Sequence, residues 1–184
     1  MTGHGLASAL LSVSIMNVLR SRSLPNAEFR DPAQVLSGLN EAFPGEAYGD
    51  KFFTIWYGVY RRSTGTLSWS GGGHPPSLLF TGPSGGTPAR LESDGIVMGM
   101  VPGAEFSASA VSVPAGSRLY VYTDGCHEIH LPSGGLWSFD EFAAFISQPV
   151  PPSTSIMDRL LDHVRRLSDT DVLLDDFSIV EATF

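Results

Sequence analysis

Cysteine, lysine and long apolar runs are all scarce in this chain. Its one cysteine, Cys126, leaves no partner for an internal disulfide and fits a reducing compartment. Lys51 is its one lysine, and 11 basic side chains face 19 acidic ones for a net charge of −8. No basic stripe runs along the sequence, which argues against nucleic acid as a partner. The most apolar stretch, Leu6 to Leu19, is interrupted by Ser8, Ser12, Ser14 and Asn17. It is too short and too polar to span a bilayer, and it lacks the basic start and small-residue cleavage site of a signal peptide. A cytoplasmic protein with no membrane association is the expectation.

What is present reads as one globular domain. The chain has 184 residues, 42% hydrophobic and 16% charged, enough to bury a sizeable core. Leu11, Ile15, Val18 and Leu19 fall at helical spacing, predicting a helix from about Leu6 to about Arg22 that stops before Pro25. Asp31-Pro32 reads as an N-cap with proline at the first helical position, and Val35, Leu36 and Leu39 continue a second helix to about Phe43. The texture then changes to strands. Phe52 to Tyr60 and Thr66 to Ser70 flank a turn at Ser63-Thr64-Gly65, a hairpin signature. Further strands are expected at Ser77 to Phe80, Phe106 to Val113, Arg118 to Thr123 and Phe177 to Ala182. Helical spacing marks Phe139 to Ile146 and Ile156 to Leu167. Helices, then a block of antiparallel strands, then helices and a closing strand predict an α+β domain with sheet-on-sheet packing.

Acidic residues stand at two of the strand ends. Tyr122-Thr123-Asp124-Gly125 closes one strand, and Asp175-Asp176 opens the last. A carboxylate at the end of a buried strand is costly unless its charge is held, so a hard-cation site shared by the two is the simplest reading. Asp124 alone would also suit a plain turn, since Asp-Gly is a common turn pair.

These residues carry a resemblance. Thr2-Gly3-His4-Gly5 before an apolar helix, the run FFTIWYGVY, the loop GGGHPP, Met98-Gly99-Met100, YTDG with Glu128 behind it, and the closing DDFS resemble bacterial PPM-type (PP2C-like) serine/threonine phosphatases of the SpoIIE/RsbU kind. The resemblance implies two packed antiparallel sheets flanked by helices, with two Mg2+ or Mn2+ ions at one end of the sandwich. A water held between the ions would attack a phosphoserine or phosphothreonine, so no side-chain nucleophile is implied. By matching position, Asp124 and Asp175 would be metal ligands and Met1 would offer its backbone carbonyl. Gly3, His4, Gly5, Gly125 and Asp176 would line or support the site. The family's metal-bridging aspartate would fall just before Met1, so the expectation is a domain spanning residues 1–184 that lacks the family's N-terminal strands. The implied partners are a phosphorylated regulatory protein of the STAS anti-sigma-antagonist type and an upstream sensor or receiver domain. Lost strands would leave an open sheet edge, which extends the expectation to a homodimer. The alternative is a degenerate domain that binds partners without catalysis.

Other polar residues read more plainly. Cys126 reads as filler, Asp171 as solvated surface, and His74, His127 and His130 as loop residues, the last two near the mouth of the site. Trp56, Tyr57 and Trp69 read as core or sheet-face aromatics.

Overall fold

The structure is a computed structural model that describes residues 5–82, 86–149, 154–168, 173 and 175–184. The chain packs as two compact units: residues 1–74 with 92–113, and residues 75–91 with 114–184. The α+β expectation holds, with antiparallel sheets and four α-helices among the described residues.

In the first unit, α1 (Leu6–Ser21) buries Ser8, Leu11 and Ile15 along one stripe and stops at Arg22, whose left-handed backbone ends the helix ahead of Pro25. Helix α2 (Pro32–Ala42) starts where the Asp31 carboxylate accepts from the Ala33 N–H at 3.0 Å. Val35, Leu36 and Leu39 on its inner face are fully buried. The sheet has the order β1 (Ile55–Arg61), β2 (Thr66–Gly72), β5 (Ser109–Ser112), all antiparallel. Trp69 is buried in it, with its indole N–H donating to the Glu92 carbonyl at 2.9 Å.

A buried polar clamp organises the loop after Val97. The Asn40 side chain accepts from the Gly99 N–H at 2.8 Å and donates to the Val101 carbonyl at 2.9 Å. Gly99 has φ +81°, and a Cβ there would lie 2.8 Å from the Phe43 carbonyl oxygen, so the loop needs glycine at this point.

The second unit is built on the sheet β4 (Ala89–Leu91), β3 (Ser77–Phe80), β6 (Arg118–Tyr122), β9 (Ile179–Thr183), again antiparallel. A small hairpin of β7 (Ile129–His130) and β8 (Leu136–Trp137) follows β6. Helix α3 (Phe139–Ile146) opens with a capping box between Ser138 and Glu141. Helix α4 (Ile156–Ser168) buries Ile156, Leu160 and Val164, one turn apart. Tyr120, Phe80, Phe142 and Leu160 fill the core of this unit. Among the described residues no helix is long and apolar enough to cross a membrane.

Candidate metal centre

The pairing of β6 with β9 explains why the two acidic segments meet. Tyr122 lies opposite Ile179 in an antiparallel register. The residues that leave β6 must therefore run beside those that enter β9. Thr123 completes the join: its N–H donates to the Ser178 carbonyl at 2.9 Å. Its hydroxyl donates to the Asp176 carbonyl at 2.6 Å and accepts from the Ser178 N–H at 2.9 Å.

Asp124 then starts a tight 3-10 turn, Asp124–Cys126. Its carbonyl accepts from the N–H groups of His127 and Glu128 at 2.9 and 2.8 Å, and its carboxylate accepts from the Gly125 N–H at 3.0 Å. The Asp175 carboxylate is oriented in the same manner by the Asp176 N–H at 2.7 Å. Gly125 is the contact point. A Cβ on it would lie 2.6 Å from the Asp176 carbonyl oxygen, so any side chain would push the segments apart.

Asp124, Glu128, Asp175 and Asp176 are all exposed. A cavity of about 40 Å3 opens between Gly125, Glu128, His130, Val164 and Asp175. Oxygen donors on two adjoining acidic segments suit a hard divalent cation. Among the described residues, no group of three or more His, Cys, Asp and Glu side chains is set to hold a metal. The donor set therefore fits such an ion in kind and is incomplete in number within that part of the chain.

Two neighbouring side chains, Cys126 and His127, are turned into the core. Cys126 is buried, its thiol donates to the Ser178 carbonyl at 3.2 Å, and burial pushes its pKa up to about 11. It is a packing residue, as expected. His127 is a turn residue, as the sequence suggests, but its ring is buried rather than at the mouth of the site. It is 7% exposed, packed edge-on against Tyr122 and Phe139 with centroids at 5.9 and 5.6 Å. Burial lowers its pKa, opposed by the charges of Glu128 and Asp124, so the ring sits neutral in the core. His130, expected in a loop, lies instead in a strand, β7, and lines the cavity.

Met1, Gly3 and His4, and also Asp171, lie outside the described residues. Gly5 is the N-cap of α1, with φ +104°, and belongs to the first unit. Of the residues expected at the site, the structure brings together Asp124, Gly125, Asp175 and Asp176. Thr123 was not singled out from the sequence. A threonine ahead of a strand-end aspartate, with an acidic doublet opening the partner strand, was the available signal.

The family model described as Stage II sporulation protein E (SpoIIE) matches residues 1–184. The chain belongs to the SpoIIE family. Among solved structures, the fold matches the SiaA PP2C domain of Pseudomonas aeruginosa with a TM-score of 0.79 at 17% identity, covering 100% of this chain and 72% of that one. It also matches the PP2C phosphatase domain of SpoIIE from Bacillus subtilis, solved with a fragment of its regulatory domain, with a TM-score of 0.78 at 14% identity, covering 100% and 52%. Protein IcfG of Synechocystis sp. is 26% identical over 129 residues, 70% of this chain. The chain spans 20% of that curated relative's length. This SpoIIE-family chain thus has the fold of a PP2C phosphatase domain.

Proposed function

We propose that this SpoIIE-family chain is a metal-dependent protein serine/threonine phosphatase domain acting on a phosphorylated regulatory protein in bacterial signalling. The observation that supports the reading is the clasp of Thr123 on Asp176 and Ser178, which joins the turn carrying Asp124 to the segment carrying Asp175, with glycine at the point of contact. Asp124 and Asp175 are the proposed side-chain ligands of Mg2+ or Mn2+, with the Met1 carbonyl as a further donor. When bound, the metal supplies an acidified water and neutralises charge on the phosphoryl oxygens.

The residues around the site divide the remaining work. Thr123 fixes the spacing of the acidic segments, and Gly125 lets their backbones approach. Asp176, Gly3, His4 and Gly5 are proposed to shape the site's lining. Cys126 and His127 are proposed to serve as packing residues beside the site, both being buried, with the Cys126 thiol pKa raised by that burial. The proposed partner is a STAS-type phosphoprotein, and an upstream sensor or receiver segment is proposed to govern access to it.

The test is Mn2+-dependent phosphate release from a phosphoserine-bearing protein by the purified chain. Release that disappears in Asp124→Asn is expected. A folded protein without turnover would favour a second reading, a partner-binding domain without catalysis. That reading draws on one observation: the described residues supply two acidic segments and no third ligating group.

A further inference from the structure

Half of the arginines in this acidic chain lie in two short stretches of the first unit: Arg20, Arg22, Arg30, Arg61 and Arg62. The fold gathers several of them. Tyr57 on β1 donates its hydroxyl to the Phe29 carbonyl at 3.1 Å, tying the α1–α2 connection to the strand. Arg22, at the end of α1, is close enough for its charge to act on that same phenol. Arg30, next to Phe29, shares with Arg61 and Ser63 the wall of an open groove of about 430 Å3, floored in part by Val59.

The nearest acids in sequence, Glu28 and Asp31, are tied into local hydrogen bonds without forming an ion pair to Arg30. Glu28 accepts from the Arg30 backbone N–H at 3.0 Å, and Asp31 accepts from the Ala33 N–H at 3.0 Å and the Gln34 amide at 3.0 Å. Among the described residues, neither Arg30 nor Arg61 forms an ion pair with a carboxylate. Both guanidiniums are exposed, with their planar donor forks available.

We propose that this groove is a docking site for an acidic peptide segment of a protein partner, its carboxylates seated on Arg30 and Arg61. The volume lies within the range of roughly 300–1,000 Å3 that binding pockets occupy, far more than one inorganic anion needs. Charge selects the class of partner. The chain carries −8 overall, so an extended polyanion such as a nucleic acid or an anionic bilayer meets net repulsion. A short acidic segment feels mainly the charges within about 8 Å, one screening length at physiological salt, and the charged side chains that line the groove itself are Arg30 and Arg61. The inference stands independently of the phosphatase reading, since it concerns binding and needs no metal.

The experiment is fluorescence anisotropy of a labelled alternating Glu-Ala peptide with the purified chain, in chelator and at low salt. Saturable binding is expected, weakening by about two- to fivefold for each of Arg30→Ser and Arg61→Ser, the range of an exposed ion pair. The double variant Arg165→Ser/Arg166→Ser on α4 is expected to bind as the parent does. Circular dichroism confirms folding, and Arg30→Glu/Arg61→Glu is expected to take up a Lys-Ala peptide instead. Equal binding by parent and Arg30→Ser/Arg61→Ser, no binding by the parent, or stronger binding to anionic vesicles than to the peptide would each overturn the proposal. So would inorganic phosphate displacing the peptide at equal concentration, which would reduce the groove to a simple anion site.

Discussion

Thr123 holds Asp176 through one hydroxyl hydrogen bond of 2.6 Å, and the same oxygen receives the Ser178 N–H at 2.9 Å. One side chain thus fixes the distance between the turn that carries Asp124 and the segment that carries Asp175. Groups that orient ligands in this way govern affinity even though they do not touch the ion.

Thr123→Val keeps the shape and removes the hydroxyl with all its hydrogen bonds. Mn2+ affinity measured by calorimetry is expected to fall by roughly 10- to 100-fold. Stability in urea is expected to fall by about 1 kcal/mol, with Thr123→Ser retaining most of both. Unchanged affinity in the valine variant would remove Thr123 from the account.

Gly125→Ala tests the approach of the two backbones. Its methyl would meet the Asp176 carbonyl oxygen at 2.6 Å, and neither backbone can yield without losing the Thr123 bonds. A loss of about 1–3 kcal/mol in urea unfolding is expected, the usual cost of overpacking, together with weaker Mn2+ binding. A neutral outcome would show that the segments are separable.

Much of this arrangement is legible in the sequence, because its causes are local. Asp31-Pro32 announces the start of α2, and the apolar spacing of Leu11 and Ile15 locates the buried stripe of α1. The strand after Lys51 begins at Ile55 rather than Phe52, because Phe53 makes an isolated bridge to Met98 instead of joining β2. The expected strand from Phe106 narrows to Ser109–Ser112, where β2 supplies partners. The strands at Ala89–Leu91, Ile129–His130 and Leu136–Trp137 are too short for any alternation to show. At the site, strand-end carboxylates can be read directly, but the clasp of Thr123 depends on the register of β6 against β9. His127 misleads for a related reason. Its polar neighbours suggest an exposed ring at the mouth of the site, whereas the turn at Asp124–Cys126 carries it in among Tyr122, Phe139 and Phe142.

Asn40 supplies a test in the first unit. Asn40→Leu leaves the Gly99 N–H and the Val101 carbonyl without their side-chain partner. A destabilisation of about 1–3 kcal/mol is expected from the unsatisfied buried groups, read from denaturant midpoints. A midpoint equal to the parent's would show that the clamp is dispensable.

His163 sets a pH dependence. It stacks on Phe145 at 4.3 Å and meets Trp137 at 5.1 Å. Burial first, then the charges of Arg166 and Arg159, lower its pKa from the ordinary 6.5. A histidine that resists protonation when folded stabilises fully above about pH 6.5, and that contribution is lost as pH falls toward its lowered folded value. His127 acts in the same direction. Urea stability is therefore expected to decline from pH 7.5 to 5.5, and less steeply in His163→Phe. An equal slope in that variant would contradict the assignment.

The central claim is that Asp124 and Asp175 share one cation site. Titration calorimetry of Mn2+ into the parent chain, Asp124→Asn, Asp175→Asn and the double variant tests it directly. The account predicts binding by the parent, and losses in the single variants that do not add in the double, because either removal dismantles the same site. Equal binding by all four proteins, or losses that simply sum, would contradict it.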